Sequence, residues 1–205
     1  MRYEEVKADL RAAYDAGADD RAGMDDAPWK RAERARFAAH LREAGAKSLL
    51  EIGAGHGVSG RAFADDGFAV TCTDLSPALV AHCRANGLDA RVMDFAHLDF
   101  PDGAFDAVFG MNCLLHVPKA ELPGVLDGIA RVLAPGGLLY WGQYGGEDSE
   151  GVWDGDAYEP KRYFSFFTAD AIERLAREHF DLVEAVHLPI DRGIDQYQGL
   201  VLRKP

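Results

Sequence analysis

Tyr3, Val6, Leu10 and Tyr14 recur at three- and four-residue spacing, which predicts an amphipathic helix over 3–16. The next stretch, Asp15 to Asp26, is polar and contains Gly17 and Gly23, so it reads as a loop. Pro28 suits the first turn of a second helix. That helix, through Ala44, sets Trp29, Phe37 and Leu41 near one face. Lys30, Arg31, Arg34, Arg36 and Arg42 fall on the other, read as a solvated basic face. After Gly45 the pattern changes. Short apolar runs near 48–52, 69–73, 90–93, 105–110, 137–144, 181–188 and 197–203 have the length of buried strands. Amphipathic stretches near 58–66, 77–86, 119–133 and 168–179 read as helices between them. Thr168 caps the last helix, with Asp170 in its first turn. Leu133-Ala-Pro-Gly-Gly137 ends the preceding helix and turns the chain into the fifth strand.

Alternating strands and helices predict an α/β fold: a doubly wound, mainly parallel seven-stranded sheet with helices on both faces. The connection from Pro189 to Gln196 is too short for a crossover helix, so the last two strands are expected to pair antiparallel. The expected organisation is a single domain over 1–205, with 1–45 as an N-terminal helical cap and 46–205 as the core.

Composition narrows the class. A chain of 205 residues that is 48% hydrophobic has enough apolar material for one full core. A net charge of −12 argues against a broad grip on nucleic acid. The cysteines, at 72, 83 and 113, are odd in number and lack metal-type spacing, which fits a reduced, cytoplasmic setting. No signal peptide or membrane span is expected, because the N-terminus lacks an apolar h-region and no apolar run approaches about 18 residues. The seven histidines are scattered, and no metal site is expected.

The chemistry concentrates at Ser48-Leu-Leu-Glu-Ile-Gly-Ala-Gly-His-Gly57, an apolar strand running into a glycine loop. Gly53, Gly55 and Gly57 let backbone N–H groups approach a nucleotide-like ligand. Asp74 ends the next apolar run, where a carboxylate can meet a ribose. Two cofactors compete for this pattern. Gly55, Gly57 and Gly60 spell G-x-G-x-x-G, with Asp74 19 residues after Gly55, the spacing of a dinucleotide site. That reading leaves Glu51 and Gly53 inside the strand, where an unpaired carboxylate is costly. If the strand ends at Glu51 and Ile52, Glu51 faces the ligand. A carboxylate there suits the sulfonium and ammonium of S-adenosylmethionine (SAM) and repels a pyrophosphate.

The ordered set Glu51-x-Gly53-x-Gly55-x-Gly57, Asp74, Asp94 and Ala134-Pro135-Gly136-Gly137 resembles the class I SAM-dependent methyltransferases, in particular their small-molecule, type-11-like branch. The resemblance runs from residue 28 or so to the end of the chain. It implies a Rossmann-like sheet with an antiparallel last strand and SAM as cofactor, released as S-adenosylhomocysteine (SAH). By resemblance the glycine loop, with Ala54, wraps the methionine moiety and Asp74 holds the ribose hydroxyls. Asp94 approaches the adenine amino group, and Leu75 and Phe95 flank the ring. Met111 and Asn112 sit beside the methionine or sulfonium.

The implied activity is methyl transfer to an O, N or C nucleophile of a small-molecule acceptor, with neither nucleic acid nor membrane as partner. His116 is the candidate general base; the plain alternative is a histidine that shapes the loop into Val117-Pro118. Gln143 to Glu159 carries six acidic residues and no basic ones, together with Tyr144, Trp153 and Tyr158. It is expected to form a lid or substrate wall. Its carboxylates either favour a cationic acceptor or are solvated surface charges. Tyr14 and Trp29 are candidates to cover the cofactor from the N-terminal side. Two alternatives remain: an NAD(P)-linked oxidoreductase, and a SAM-binding protein without catalysis.

Overall fold

A computed structural model describes residues 1–23, 26–190 and 196–205. Three helices come first: α1 (Tyr3–Ala16), α2 (Ala18–Ala22) and α3 (Pro28–Glu43). The core then alternates β1 (Ser48–Ile52), α4 (Val58–Asp65), β2 (Ala69–Asp74), α5 (Pro77–Ala85) and β3 (Asp89–Val92). It continues with β4 (Phe105–Met111), a 3-10 turn (Leu114–His116), α6 (Leu122–Val132), β5 (Leu133–Gly145), β6 (Ser149–Val152) and β7 (Tyr163–Phe166). It closes with α7 (Ala169–His179), β8 (Asp181–Pro189) and β9 (Gln196–Arg203).

Seven strands form one sheet in the order β3-β2-β1-β4-β5-β9-β8. Pairing is parallel from β3 through β5, whereas β9 runs antiparallel to both β5 and β8. β1 reads as a continuous apolar run because it is covered on both faces; Leu49, Leu50 and Ile52 are fully buried. Leu49 joins Phe37, Leu41, Phe63, Phe109 and Tyr140 on one side of the sheet. Leu50 and Ile52 join Leu126, Ile129, Trp141 and Ile172 on the other. The order reverses between β1 and β4, and Ile52 stands in register with both Thr73 and Gly110. Gly53, Asp74 and Met111 therefore emerge at one level, around the crevice where such sheets bind ligands.

The structure departs from the sequence reading in three places. Residues 18–22 form a short helix where a loop is expected; five residues carry too little periodicity to show one. Within the predicted lid, β6 and β7 pair as a small antiparallel sheet, with Val152 opposite Tyr163. Pairing rather than pattern makes β6 a strand, since Ser-Glu-Gly-Val has no apolar alternation. The basic face of α3 is also not simply solvated. Arg34 is buried and paired with Asp26, and Arg36 spans Glu33 and Glu184. The turn expected between Pro189 and Gln196 lies largely outside the described residues. Among the described residues no helix is long and apolar enough to cross a membrane, and the three cysteines are free and buried.

Candidate active site

The loop after β1 is shaped by what lies behind it. Gly57 caps α4 at φ +85°, and a Cβ there would sit 2.8 Å from Leu88 and 3.0 Å from Cys83 Sγ. A Cβ on Gly53 would meet that of Cys113 at 2.4 Å. Gly55 is different: a Cβ there would meet nothing within 4 Å, so its backbone faces open space.

Two carboxylates flank this loop. Glu51, at the end of β1, is 4% exposed. It accepts the Cys72 thiol at 3.5 Å and a hydrogen bond from the Gly60 N–H. Burial pushes its carboxyl up to about 8. Asp74 accepts the Gly55 N–H at 2.8 Å on one oxygen and the Ser76 N–H at 2.9 Å on the other. It thus ties the glycine loop to β2 and to the start of α5. Burial raises its carboxyl to about 6. Each oxygen keeps a lone pair for a further donor. Across the loop, Asn112 adopts φ +56°, a conformation asparagine tolerates better than most residues, and its buried Oδ1 has no partner.

These groups open into one cavity of about 390 Å³. Of the residues singled out from the sequence, Glu51, Gly53, Ala54, Gly55, Asp74, Leu75, Phe95, Met111, Asn112 and His116 line it; Gly57 and Asp94 do not. Gly57 faces the α5 side of the loop, as its neighbours show. The Asp94 carboxylate accepts the Lys7 ammonium at 3.0 Å and the Ala96 N–H at 2.9 Å. Glu4, Asp94 and His97 do bring ligand-type atoms within 4.8 Å of one another, but the same Lys7 also bonds Glu4 at 2.6 Å. Tyr14 lines the cavity. Trp29 is not among its lining residues and packs on Tyr197, with ring centroids 4.5 Å apart.

The part of the cavity lined by the N-terminal helices and the β6–β7 segment was only partly foreseen. Trp153, Tyr158, Arg162 and Phe164 come to it from the β6–β7 segment, and Arg21 from α2. Arg162 lies 3.9 Å over the Tyr158 ring and holds Asp156 through Nε at 2.8 Å and Nη2 at 2.6 Å. Its Nη1 donates to the Tyr14 hydroxyl at 3.0 Å. That hydroxyl contacts His116 Nε2 at 2.6 Å, while His116 Nδ1 lies 2.7 Å from the Tyr163 carbonyl. A carbonyl can only accept, so Nδ1 carries the proton and Nε2 accepts from Tyr14. Burial, with the nearby Arg162 and Arg21 charges, pushes His116 down to about 3. The ring is neutral, and neither nitrogen is free to take a proton from a ligand.

No acidic residue of the 147–159 segment lines the cavity. Asp148 pairs with Lys119, Glu150 accepts the Lys119 N–H and the Tyr163 hydroxyl, and Asp156 holds Arg162. These carboxylates fasten the β6–β7 segment to the core and itself, which removes the argument for a cationic acceptor. Arg21 and Arg162 carry no local motif. They meet Tyr158 and Tyr14 across 137 and 148 residues of sequence, and only the fold reveals the grouping.

Comparison with known proteins agrees with this geometry. Residues 49–137 match the methyltransferase-domain family, Methyltransf_25. A demethylmenaquinone methyltransferase of Tropheryma whipplei (strain Twist) is 36% identical over 121 residues, 57% of this chain and 48% of that protein. A ubiquinone biosynthesis O-methyltransferase of Xylella fastidiosa (strain 9a5c) is 34% identical over 99 residues, 45% of this chain and 39% of the relative. The chain therefore spans less than half the length of these relatives. Among solved structures, Burkholderia thailandensis 1,6-didemethyltoxoflavin-N1-methyltransferase, with bound 1,6-didemethyltoxoflavin and SAH, is similar in fold. Its TM-score is 0.81 at 24% identity, over 100% of this chain and 91% of that one. With a glycine loop flanked by Glu51 and Asp74, and with a methyltransferase-domain match over residues 49–137 that spans that loop, this chain is similar to the class I SAM-dependent methyltransferases.

Proposed function

We propose that this protein transfers the methyl group of SAM to an O, N or C nucleophile of a small molecule. One observation carries the reading. A single cavity joins a nucleotide-type end, at the glycine loop and Asp74, to an aromatic end at Tyr14, Trp153, Tyr158 and Phe164. The residues present fit the cofactor. Gly55 leaves backbone room, Asp74 keeps lone pairs for two hydroxyls, and Glu51 and the unpartnered Asn112 Oδ1 are acceptors for cationic groups. In this reading Gly53, Ala54, Gly55, Met111 and Asn112 surround the methionine part, and Leu75 and Phe95 flank the adenine. Gly57 shapes the loop from behind. Asp94 steadies α1 through Lys7. The N-terminal helices serve as cap to one domain, and the free cysteines suit a reducing, cytoplasmic setting.

Bound SAM supplies an electrophilic methyl carbon; the acceptor's lone pair forms the new bond as the methyl–sulfur bond breaks, its electron pair going to sulfur. The protein's part is to align the two partners and keep water out, which accounts for much of the acceleration such displacements need. His116, held neutral between Tyr14 and the Tyr163 carbonyl, orients the Tyr14 hydroxyl at the acceptor end instead of taking a proton.

The dinucleotide alternative is weakened by Glu51, which lies in the cavity wall where a pyrophosphate would approach. Gly60 does not separate the two readings: a Cβ there would sit 2.6 and 2.7 Å from the Cys72 and Glu51 side chains, the close helix–strand packing that the third glycine of either loop can serve. Turnover separates an enzyme from a passive SAM-binding protein. The test is SAH production from SAM by purified protein across a panel of phenolic, amine and heterocyclic acceptors. Acceptor-dependent SAH supports the proposal; tight SAH binding with no turnover across the panel favours the passive protein.

A further inference from the structure

Arg21, on the cavity wall, is a cation that makes no ion pair with a carboxylate among the described residues. Four cationic side chains line the cavity: Arg21, Lys30, Arg34 and Arg162. Arg34 is paired with Asp26, and Arg162 is spent on Asp156 and Tyr14. Arg21 differs. Its Nη1 donates to the Tyr158 hydroxyl at 3.0 Å, and its guanidinium carbon sits 5.1 Å over the Tyr14 ring. Among the described residues no carboxylate lies within ion-pair distance of it, and its buried Nε has no hydrogen-bond partner. A buried donor on a charged group is expensive to leave unmade. The expected occupant of such a position is an anion, which a guanidinium grips through two parallel N–H groups.

The surroundings define the rest of the ligand. Tyr14, Tyr158, Phe164 and Trp153 line the same space, and Trp153 stands 43% exposed. Aromatic walls of this kind favour a flat partner. The charge of Arg21 also reaches its neighbours: alongside burial it helps hold His116 and His56 below the ordinary histidine range, and it pulls the Asp74 carboxyl down against the burial that raises it. A nucleophile that arrives as an anion already carries its attacking lone pair and has no proton to lose, which matches a site whose histidine has no free nitrogen.

We infer that the acceptor is a planar ring system bearing a negative charge, and that Arg21 is its anion anchor. The inference rests on the methyltransferase reading above, and the test keeps the two apart. The purified protein is titrated by calorimetry with 2-naphthoate, 2-naphthamide and 2-naphthylmethylammonium, with and without saturating SAH. Binding of SAH reports on the cofactor reading alone. The ring series reports on Arg21 whether or not SAH binds. Naphthoate is expected to bind about tenfold or more tighter than the isosteric amide, with the ammonium weakest. In Arg21→Gln that preference should collapse to within about twofold, and in Arg21→Lys it should persist in reduced form. Thermal unfolding confirms that each variant is folded, and if Arg21→Gln is not, the wild-type series and Arg21→Lys decide. Equal binding of naphthoate and the amide, or binding of neither, overturns the inference. So does a preference that survives in Arg21→Gln, or a variant that loses SAH affinity while keeping the ring preference. The last outcome would assign Arg21 to the cofactor's carboxylate.

Discussion

Replacing Glu51 by glutamine should make the free protein more stable and the cofactor bind less well. Glu51 is 4% exposed, and its two protein contacts are a thiol and a backbone amide. Its folded pKa is raised from 4.5 to about 8, chiefly by burial. A carboxyl whose folded pKa is raised contributes stability that is fully present below the unfolded value. That stability is lost as pH rises through the folded value. From pH 4.5 to pH 7 the unfolded chain ionises this group while the folded chain holds it neutral, a loss of about 3 kcal/mol at about 1.4 kcal/mol per unit. Above pH 8 the loss levels off near about 5 kcal/mol. Glutamine keeps the volume and the acceptor oxygen but has nothing to ionise. Glu51→Gln should therefore unfold about 3 kcal/mol harder than wild type at pH 7, or about 6–12 °C higher in Tm for a chain of this length. At pH 5 the gap should shrink to less than about 1 kcal/mol. Urea or thermal unfolding across this range is the assay, and SAM affinity should fall about tenfold in the variant, because the sulfonium and ammonium favour ionisation of the Glu51 carboxyl and glutamine cannot ionise. Parallel unfolding curves from pH 5 to 8, or a variant less stable at pH 7, would refute the reasoning.

Other consequences are as direct. Asp74→Ala removes the acceptor that joins Gly55 to Ser76 and faces the cavity, so SAH binding by calorimetry should weaken by about 1–3 kcal/mol; unchanged affinity would mean that the ribose lies elsewhere. Asp156→Ala strands the half-buried Arg162, and unfolding should cost about 3–5 kcal/mol less; a loss under about 1 kcal/mol would show the pair to be solvated. With His116 held near 3, the pH profile of kcat/KM should show no ionisation attributable to it between pH 5 and 8. An inflection near 6.5 that disappears in His116→Asn would restore the general base.

The sheet was legible because its strands are buried on both faces and separated by clear helical periods. Leu49, Leu50 and Ile52 announce a strand with or without knowledge of its neighbours. The glycine-loop part of the cavity was legible for a related reason. Its residues sit on one strand–loop–helix unit, with Asp74 one crossover later, so local sequence carries the geometry. Asp94 shows the limit of that logic. Its position after β3 is correct, but Lys7, 87 residues away, claims the carboxylate. The aromatic part of the cavity was hidden because it is assembled from α1, α2 and the β6–β7 segment. Charge counting misled there: the acidic run looks like a surface for cations until Lys119, Arg162 and Tyr163 are seen to take up its side chains. His116 reads as a base only while its two partners, Tyr14 and the Tyr163 carbonyl, are out of view.

The central claim is that Glu51, the glycine loop and Asp74 form a site for SAM. Parallel calorimetric titration of the protein with SAH, SAM and NADH tests it most directly. The account predicts that SAH and SAM bind one per chain and NADH does not. Binding of NADH alone would contradict it and return Gly55, Gly57 and Gly60 to the dinucleotide reading.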